Sequence, residues 1–171
     1  MSKINVLPIF RDQFLTMRDA RTSRISKVDL ASFYGVPITL GVLGGLLGWQ
    51  IRGIGNILAS LSLMAGLLFN LLILLYDTVV RIRDSTGEYG EYRRTLIREL
   101  QANVTYALTI SLIVAIALGA VSVAGIEVIK SPYSFIIVSL LCHFVLLLGM
   151  ILVRIRSAFL TELPYRYSDS G

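Results

Sequence analysis

The chain alternates between long apolar blocks and short charged segments. Four blocks of 21 to 23 residues contain no Asp, Glu, Lys or Arg, and they cover residues 30–51, 54–76, 104–126 and 133–153. A helix rises about 1.5 Å per residue, so about 20 residues cross the roughly 30 Å hydrocarbon layer of a bilayer. Because lipid offers the backbone no hydrogen-bond partner, each crossing segment must be helical. The pattern predicts an all-α membrane protein with four transmembrane helices.

The composition excludes the other broad classes. The 171 residues are 55% apolar and 16% charged, whereas a soluble domain carries about 25% charged residues. The mean hydropathy of +0.74 leaves too little polar surface for a soluble domain of this size. A single cysteine excludes an intramolecular disulfide and a zinc site built from several cysteines.

The basic residues predict the orientation in the membrane. Of the 16 Lys and Arg residues, 14 lie before the first block, between the second and third blocks, or after the fourth; the others are Arg52 and Lys130. Cytoplasmic loops carry the excess of basic residues, so both termini and the middle connection are expected in the cytoplasm, with the blocks in the bacterial inner membrane. The organisation is then a cytoplasmic or interfacial segment 1–28, a transmembrane domain 29–156 that includes a hairpin 77–103, and a cytoplasmic tail 157–171.

The N-terminal segment has a helical apolar stripe. Phe10, Phe14 and Met17 recur at helical spacing, with arginines beside them. This pattern predicts an amphipathic helix on the anionic lipids of the inner leaflet. Packing on another cytoplasmic helix is an equal alternative. Pro37 in the first block is expected to kink that helix.

The hairpin 77–103 is too long for a simple turn. The second block is expected to continue as a helix through Ile82, and a second helix to begin near Glu88. Stacking and bidentate phosphate contacts could make this region bind a ligand or partner. The alternative is a solvated hairpin, which its five basic and five acidic residues favour. The candidate contact residues are Tyr89, Tyr92, Arg93, Arg94 and Arg98.

Small residues follow seams along the apolar blocks. Such seams let helices approach closely where hydrophobic association cannot act. They are more numerous than one four-helix bundle needs, so we expect a homo-oligomer. The candidate packing residues are Gly41, Gly44, Gly45, Gly48, Ser62, Gly66, Ser111 and Gly119.

Polar groups inside the blocks are the candidates for function, because each is costly in lipid without a partner. Asn70 could bridge helices or line an aqueous path. His143 could titrate near neutral pH, although a hydrogen-bonded packing role is the more common one. The full set of candidate pore or polar residues is Asn70, Thr105, Thr109, Ser139 and His143.

No catalytic, nucleotide-binding or metalloprotease motif occurs in the chain. We therefore expect neither an enzyme nor a bound cofactor or metal, and no direct contact with nucleic acid. The leading hypothesis is a homo-oligomeric channel or membrane-perturbing effector that is gated through the hairpin. The alternative is a non-conducting sensor or scaffold that recruits a soluble cytoplasmic partner.

In layout the chain resembles the small membrane subunits of bacterial anti-phage defence systems, namely the membrane component of Kiwa and the channel component of Hailong. The resemblance rests on four spans, cytoplasmic termini, a charged cytoplasmic hairpin and the lack of catalytic motifs, and it carries over no individual residue. It implies a homo-oligomer, with a tetramer as one form, that senses membrane damage or opens a pore beside a cytoplasmic partner.

Overall fold

The computed structural model describes residues 8, 9, 11, 31–82, 88–131 and 133–168, with side chains in all of these except residues 82, 88–93 and 158–168. Within this part of the chain every regular element is helical. A π-helical turn, Ala31–Gly35, leads into helix α1. The α-helices are α1 Val36–Leu46, α2 Ile54–Ile82, α3 Glu88–Val123 and α4 Tyr133–Ser168.

Three of the helices are long and apolar enough to cross a membrane. The qualifying stretches are Ile54–Arg81, Arg94–Val123 and Tyr133–Ser157. They contain the second and fourth apolar blocks and most of the third, which runs three residues past the helix end at Val123. The expectation of an all-helical membrane protein is therefore confirmed, with three full-length helices and one shorter one.

The first apolar block forms a shorter helix than its sequence predicts. The helical stretch Ala31–Leu46 has 16 residues, which is about 24 Å at 1.5 Å per residue. It ends five residues before the predicted end at Ile51. Gly48 has a φ of 68°, and the Trp49 N–H turns back to the Gly44 carbonyl at 2.8 Å. This is the hydrogen bond of a Schellman motif, which stops a helix at a glycine in the left-handed conformation.

Pro37 marks a change of helix type. The π-helical turn ends at Gly35, and Pro37 occupies the first turn of α1. A proline is tolerated there because the first N–H groups of an α-helix have no intrahelical acceptor. Pro37 thus lies at a junction between π- and α-helix, at the position where the sequence predicts a kink.

The helices form an open row. Helix α1 packs on α4, α4 on α3, and α3 on α2, whereas α2 contacts neither α1 nor α4 within the described residues. The loop end of the row holds the connections that follow α1 and α3. There, Ile51 and Ile129 exchange two backbone hydrogen bonds of 3.1 and 3.0 Å. The opposite end, where α2 ends and α3 begins, is the hairpin end.

Helices α2 and α3 pack along a seven-residue repeat. Buried residues of α2 recur at Leu61, Leu68 and Leu75, and those of α3 recur at Val104 and Leu118 with Ser111 between them. A seven-residue spacing keeps one face of each helix toward its partner. The two helices therefore form an antiparallel pair along their length.

The predicted hairpin helices agree with the observed bounds, because α2 ends at Ile82 and α3 begins at Glu88. The connecting turn lies outside the described residues. Helix α4 continues to Ser168, through much of the segment expected to be a tail. Of the N-terminal segment, Pro8, Ile9 and Arg11 are described as helical; Ile9 packs against the apolar core, and the stripe of Phe10, Phe14 and Met17 lies outside the described residues.

Candidate functional site

Helix α1 and the π-helical turn lie along α4 in a regular antiparallel register. Phe33 meets His143, and Pro37 meets Ser139. Gly41 and Gly45 both face Phe135 one and two turns further on. From Phe33 to Gly41 each step moves four residues along both helices, and Gly45 lies between Phe135 and Ser131, so a single ridge of α1 follows α4 from its middle to the loop end.

His143 lies buried at the centre of this contact and uses both ring nitrogens. Its Nδ1 lies 3.0 Å from the carbonyl oxygen of Phe33, and its Nε2 lies 3.2 Å from the hydroxyl of Tyr106 on α3. A carbonyl oxygen can only accept, so Nδ1 carries the proton and Nε2 accepts from Tyr106. The neutral imidazole thereby joins three segments of the chain.

The sequence of the first block explains why the Phe33 carbonyl is available. In an α-helix it would accept from the N–H four residues later, and that residue is Pro37, which has no N–H. The carbonyl oxygen of Pro37 also accepts a hydrogen bond from α4, which the Ser139 hydroxyl donates at 3.0 Å. Two side chains of α4 thus bind two backbone carbonyls beside the π-to-α junction.

Aromatic rings surround the imidazole. The ring centroids of Tyr34 and Tyr106 lie 5.2 and 5.8 Å from that of His143, and the Phe33 centroid lies 6.4 Å away. The rings of Tyr106 and Phe33 stand edge-on to the imidazole, a favourable arrangement for aromatic pairs. This enclosure holds the orientation that the hydrogen bonds define.

Polar residues continue along α3 toward the hairpin end. Asn103 is fully buried one turn from Tyr106, and Glu99 lies one turn further. The Glu99 carboxylate accepts a 3.0 Å hydrogen bond from the Arg154 guanidinium of α4. We call Glu99, Asn103, Tyr106, Ser139, His143 and Arg154 the polar track.

Side chains of the polar track make hydrogen bonds between neighbouring helical segments. The Ser139 hydroxyl donates to a backbone carbonyl and not to His143, so the pair is not arranged as a nucleophile and its base. Among the described residues no group of three or more His, Cys, Asp or Glu side chains could hold a metal ion. A polar group buried in a membrane needs hydrogen-bond partners, because burial without them is costly.

The other polar candidates do not reach the polar track. Asn70 is exposed on α2, the helix furthest along the row from α1. Thr109 donates to the Thr105 carbonyl within α3 at 2.8 Å, and both threonines are half-buried. The structure therefore brings together Ser139 and His143, and leaves Asn70 on a separate surface.

The packing candidates divide by what surrounds them. A Cβ on Gly41 would lie 2.9 Å from the Phe135 carbonyl oxygen, whereas one on Gly45 would lie 3.6 Å from the Phe135 Cβ. Gly44 lies against the Trp49 ring, and Gly48 follows the helix end. The remaining candidates are Ser111, fully buried with its hydroxyl donating to the Leu108 carbonyl, half-buried Gly119, and exposed Ser62 and Gly66.

The hairpin candidates are described only in part. Tyr89, Tyr92 and Arg93 belong to α3, and their side chains lie outside the described residues. Arg94 and Arg98 are exposed on the same helix. At the loop end an open cleft of about 630 Å³ lies between the start of α2 and the end of α3, with Arg52 and Glu127 in its wall.

Sequence reasoning missed five residues in and around the polar track, namely Phe33, Glu99, Asn103, Tyr106 and Arg154. The proline four residues after Phe33 was the available signal, because it leaves that carbonyl without its α-helical donor. The tyrosine hydroxyl in the third block was a second signal, since a buried hydroxyl needs a partner. Which residues would meet could not be read from the sequence.

Comparisons of this chain with protein families, with curated proteins and with solved structures find no match.

Proposed function

We propose that the chain is a subunit of a homo-oligomeric channel or membrane-perturbing effector of the bacterial inner membrane, controlled through its hairpin end. The observation that carries the proposal is the unbroken pairing of α2 with α3. Their 29 and 36 residues correspond to about 43 and 54 Å of helix. Both exceed a hydrocarbon layer of roughly 30 Å, so both extend beyond it.

The packing between these helices would couple the hairpin to the membrane. Leu75 of α2 is buried just before the exposed Asp77, and Ile97 and Leu100 of α3 are buried beyond the apolar block. The apolar contact thus passes from the membrane-spanning stretch into the charged one. A displacement at the hairpin end would move both helices together, because packed helices shift as units.

The distribution of basic residues supports a cytoplasmic hairpin end. Arg94, Arg98 and Arg154 lie toward that end, whereas Arg52 and Lys130 belong to the loop end. Cytoplasmic segments carry the excess of Lys and Arg. With the resemblance of layout, this placement leads us to propose anti-phage defence as the process, in which a cytoplasmic ligand or partner acts on the hairpin.

Reconstitution in liposomes tests the proposal. The full chain is inserted into vesicles that contain a potassium gradient and an entrapped dye, with empty vesicles as the control. Ion flux without dye release supports a channel, and release of both supports a membrane-perturbing effector. Absence of flux and of release, with applied membrane tension and with cytoplasmic extract, would contradict the proposal.

A non-conducting scaffold is the second candidate, and the exposed guanidinium groups of Arg94 and Arg98 favour it. Such a scaffold would retain a soluble partner in stoichiometric amount. The double variant R94E/R98E should lose the partner, whereas R52E at the loop end should keep it. Retention of the partner by R94E/R98E would contradict this second candidate.

A further inference from the structure

Helix α2 has one covered and one uncovered face. Its buried residues Leu61, Leu68 and Leu75 face α3, the only helix that α2 contacts within the described residues. Only 11% of the most apolar stretch of α2 is buried, against 39% for α3. Among the three long helices of the described part of the chain, α2 therefore leaves the largest share of its apolar stretch uncovered.

Small and polar residues lie on this uncovered face at a helical spacing. Ser62, Gly66 and Asn70 follow one another at intervals of four residues, and all three are exposed. Residues three and four apart share a face of a helix. Large apolar side chains flank them, and these are Leu63, Leu67, Phe69, Ile73 and Leu74.

The glycine in this stripe contacts no other helix within the described residues. A Cβ built on Gly66 would meet nothing within 4 Å, whereas one on Gly41 would meet the backbone of α4. Glycine in a helix interior is destabilising by about 0.5–1 kcal/mol relative to alanine. Close approach of another helix is the use that membrane proteins make of such a glycine.

Asn70 indicates what that other helix is. Its carboxamide is both a donor and an acceptor, and it makes no hydrogen bond to another described side chain. Lipid tails supply neither a hydrogen-bond donor nor an acceptor. Exposing an amide to lipid in the apolar stretch therefore costs free energy. An amide complements a second amide, and asparagine pairs of this kind hold identical helices in register.

We propose that a second copy of this chain packs on the uncovered face of α2 through Ser62, Gly66 and Asn70. Copies inserted in one membrane share an orientation, so the two α2 helices run parallel. Asn70 then lies beside the partner subunit's Asn70 at a two-fold axis along the membrane normal. The inference rests on the proposed function in that it names the contact between its subunits.

Disulfide formation in membranes tests this contact. In a Cys142→Ser background, Asn70→Cys and Gly66→Cys are each oxidised in native membranes. The matched controls are Val145→Cys and Leu152→Cys, which replace large apolar residues exposed on α4 at depths similar to those of Gly66 and Asn70. We expect covalent dimers from the two α2 variants and none from the controls. Dimers from the controls in equal amount, or none from the α2 variants, would overturn the proposal.

A second measurement does not depend on introduced cysteines. Asn70→Leu keeps the side chain compatible with lipid and should raise the dissociation constant of the dimer in vesicles about tenfold. Asn70→Gln retains an amide and should raise that constant less. An unchanged constant for Asn70→Leu would overturn the proposal.

These results separate the contact from the proposed function. Crosslinked α2 helices in a protein that passes no ions and releases no dye would support the contact and contradict the channel or effector. Ion flux from a protein whose α2 helices do not crosslink would overturn the contact and leave the proposed function standing.

Discussion

The Nδ1 N–H of His143 donates to the carbonyl oxygen of Phe33 at 3.0 Å, and that carbonyl belongs to the residue four before Pro37. The proline removes a backbone donor, and the histidine of another helix replaces it. The missing N–H of Pro37 therefore helps to set where α1 lies on α4. It also fixes the tautomer with which His143 accepts from Tyr106.

Replacement of His143 should separate its two hydrogen bonds. An asparagine amide can occupy the position of Nδ1 and donate to Phe33, whereas a glutamine amide can reach the position of Nε2 and accept from Tyr106. We expect His143→Leu to lower the free energy of unfolding by about 1–3 kcal/mol, because two buried groups lose their partners, and each amide variant to lose less. Titration with SDS in mixed micelles measures these values.

Tyr106→Phe provides the control for this interpretation. In the His143→Asn protein the hydrogen bond between Tyr106 and His143 is already lost, so adding Tyr106→Phe should cost less stability than it does in the wild type. In the His143→Gln protein the same change should cost as much as in the wild type. Equal effects of Tyr106→Phe in both backgrounds would contradict the hydrogen bond between Tyr106 and His143.

Gly41 and Gly45 provide a matched pair on α1. A Cβ at Gly41 would come within 2.9 Å of the Phe135 carbonyl oxygen, a backbone atom, whereas one at Gly45 would make ordinary contact at 3.6 Å. Gly41→Ala should therefore lower the free energy of unfolding by about 1–3 kcal/mol through overpacking. Gly45→Ala should be neutral or slightly stabilising. Equal effects of the two changes would contradict the register of α1 on α4.

The ion pair between Glu99 and Arg154 should make a small contribution. Its oxygen and nitrogen lie 3.0 Å apart, but 43% of the Glu99 side chain is exposed. We expect a coupling of about 0.5–1 kcal/mol in a double-mutant cycle with Glu99→Gln and Arg154→Gln. The charge swap E99R/R154E should be more stable than either single reversal. A coupling of zero at low salt would contradict the contact.

The backbone pairing at the loop end makes a covalent test possible. Directly opposed residues that exchange two hydrogen bonds have Cα atoms about 5.5 Å apart, a separation that a disulfide spans. In a Cys142→Ser background, Ile51→Cys and Ile129→Cys together should form a disulfide within one chain, seen as faster migration in a non-reducing gel. Dimers without the internal bond would show that the two connections are apart.

Much of the fold could be predicted from the sequence, because a segment that crosses lipid must be helical and charged residues mark the ends of three of the blocks closely. The first block was predicted too long. Its composition gives no sign that Gly48 adopts a positive φ, since glycines elsewhere in this block lie within the helix. Local rules identified Gly41 and His143 as candidates but not their partners, which depend on how α1 is aligned with α4. Asn70 was identified as a helix-bridging candidate, and in the described part of the structure no helix covers it.

Labelling from the two sides of the membrane tests the central claim most directly, namely that the long helices separate the loop end from the hairpin end across a bilayer. Arg52→Cys and Arg94→Cys are introduced singly in a Cys142→Ser background, and intact spheroplasts are treated with an impermeant maleimide. The account requires that Arg52→Cys be labelled at once and Arg94→Cys only after the membrane is opened. Labelling of both positions from the same side of a sealed membrane would contradict it.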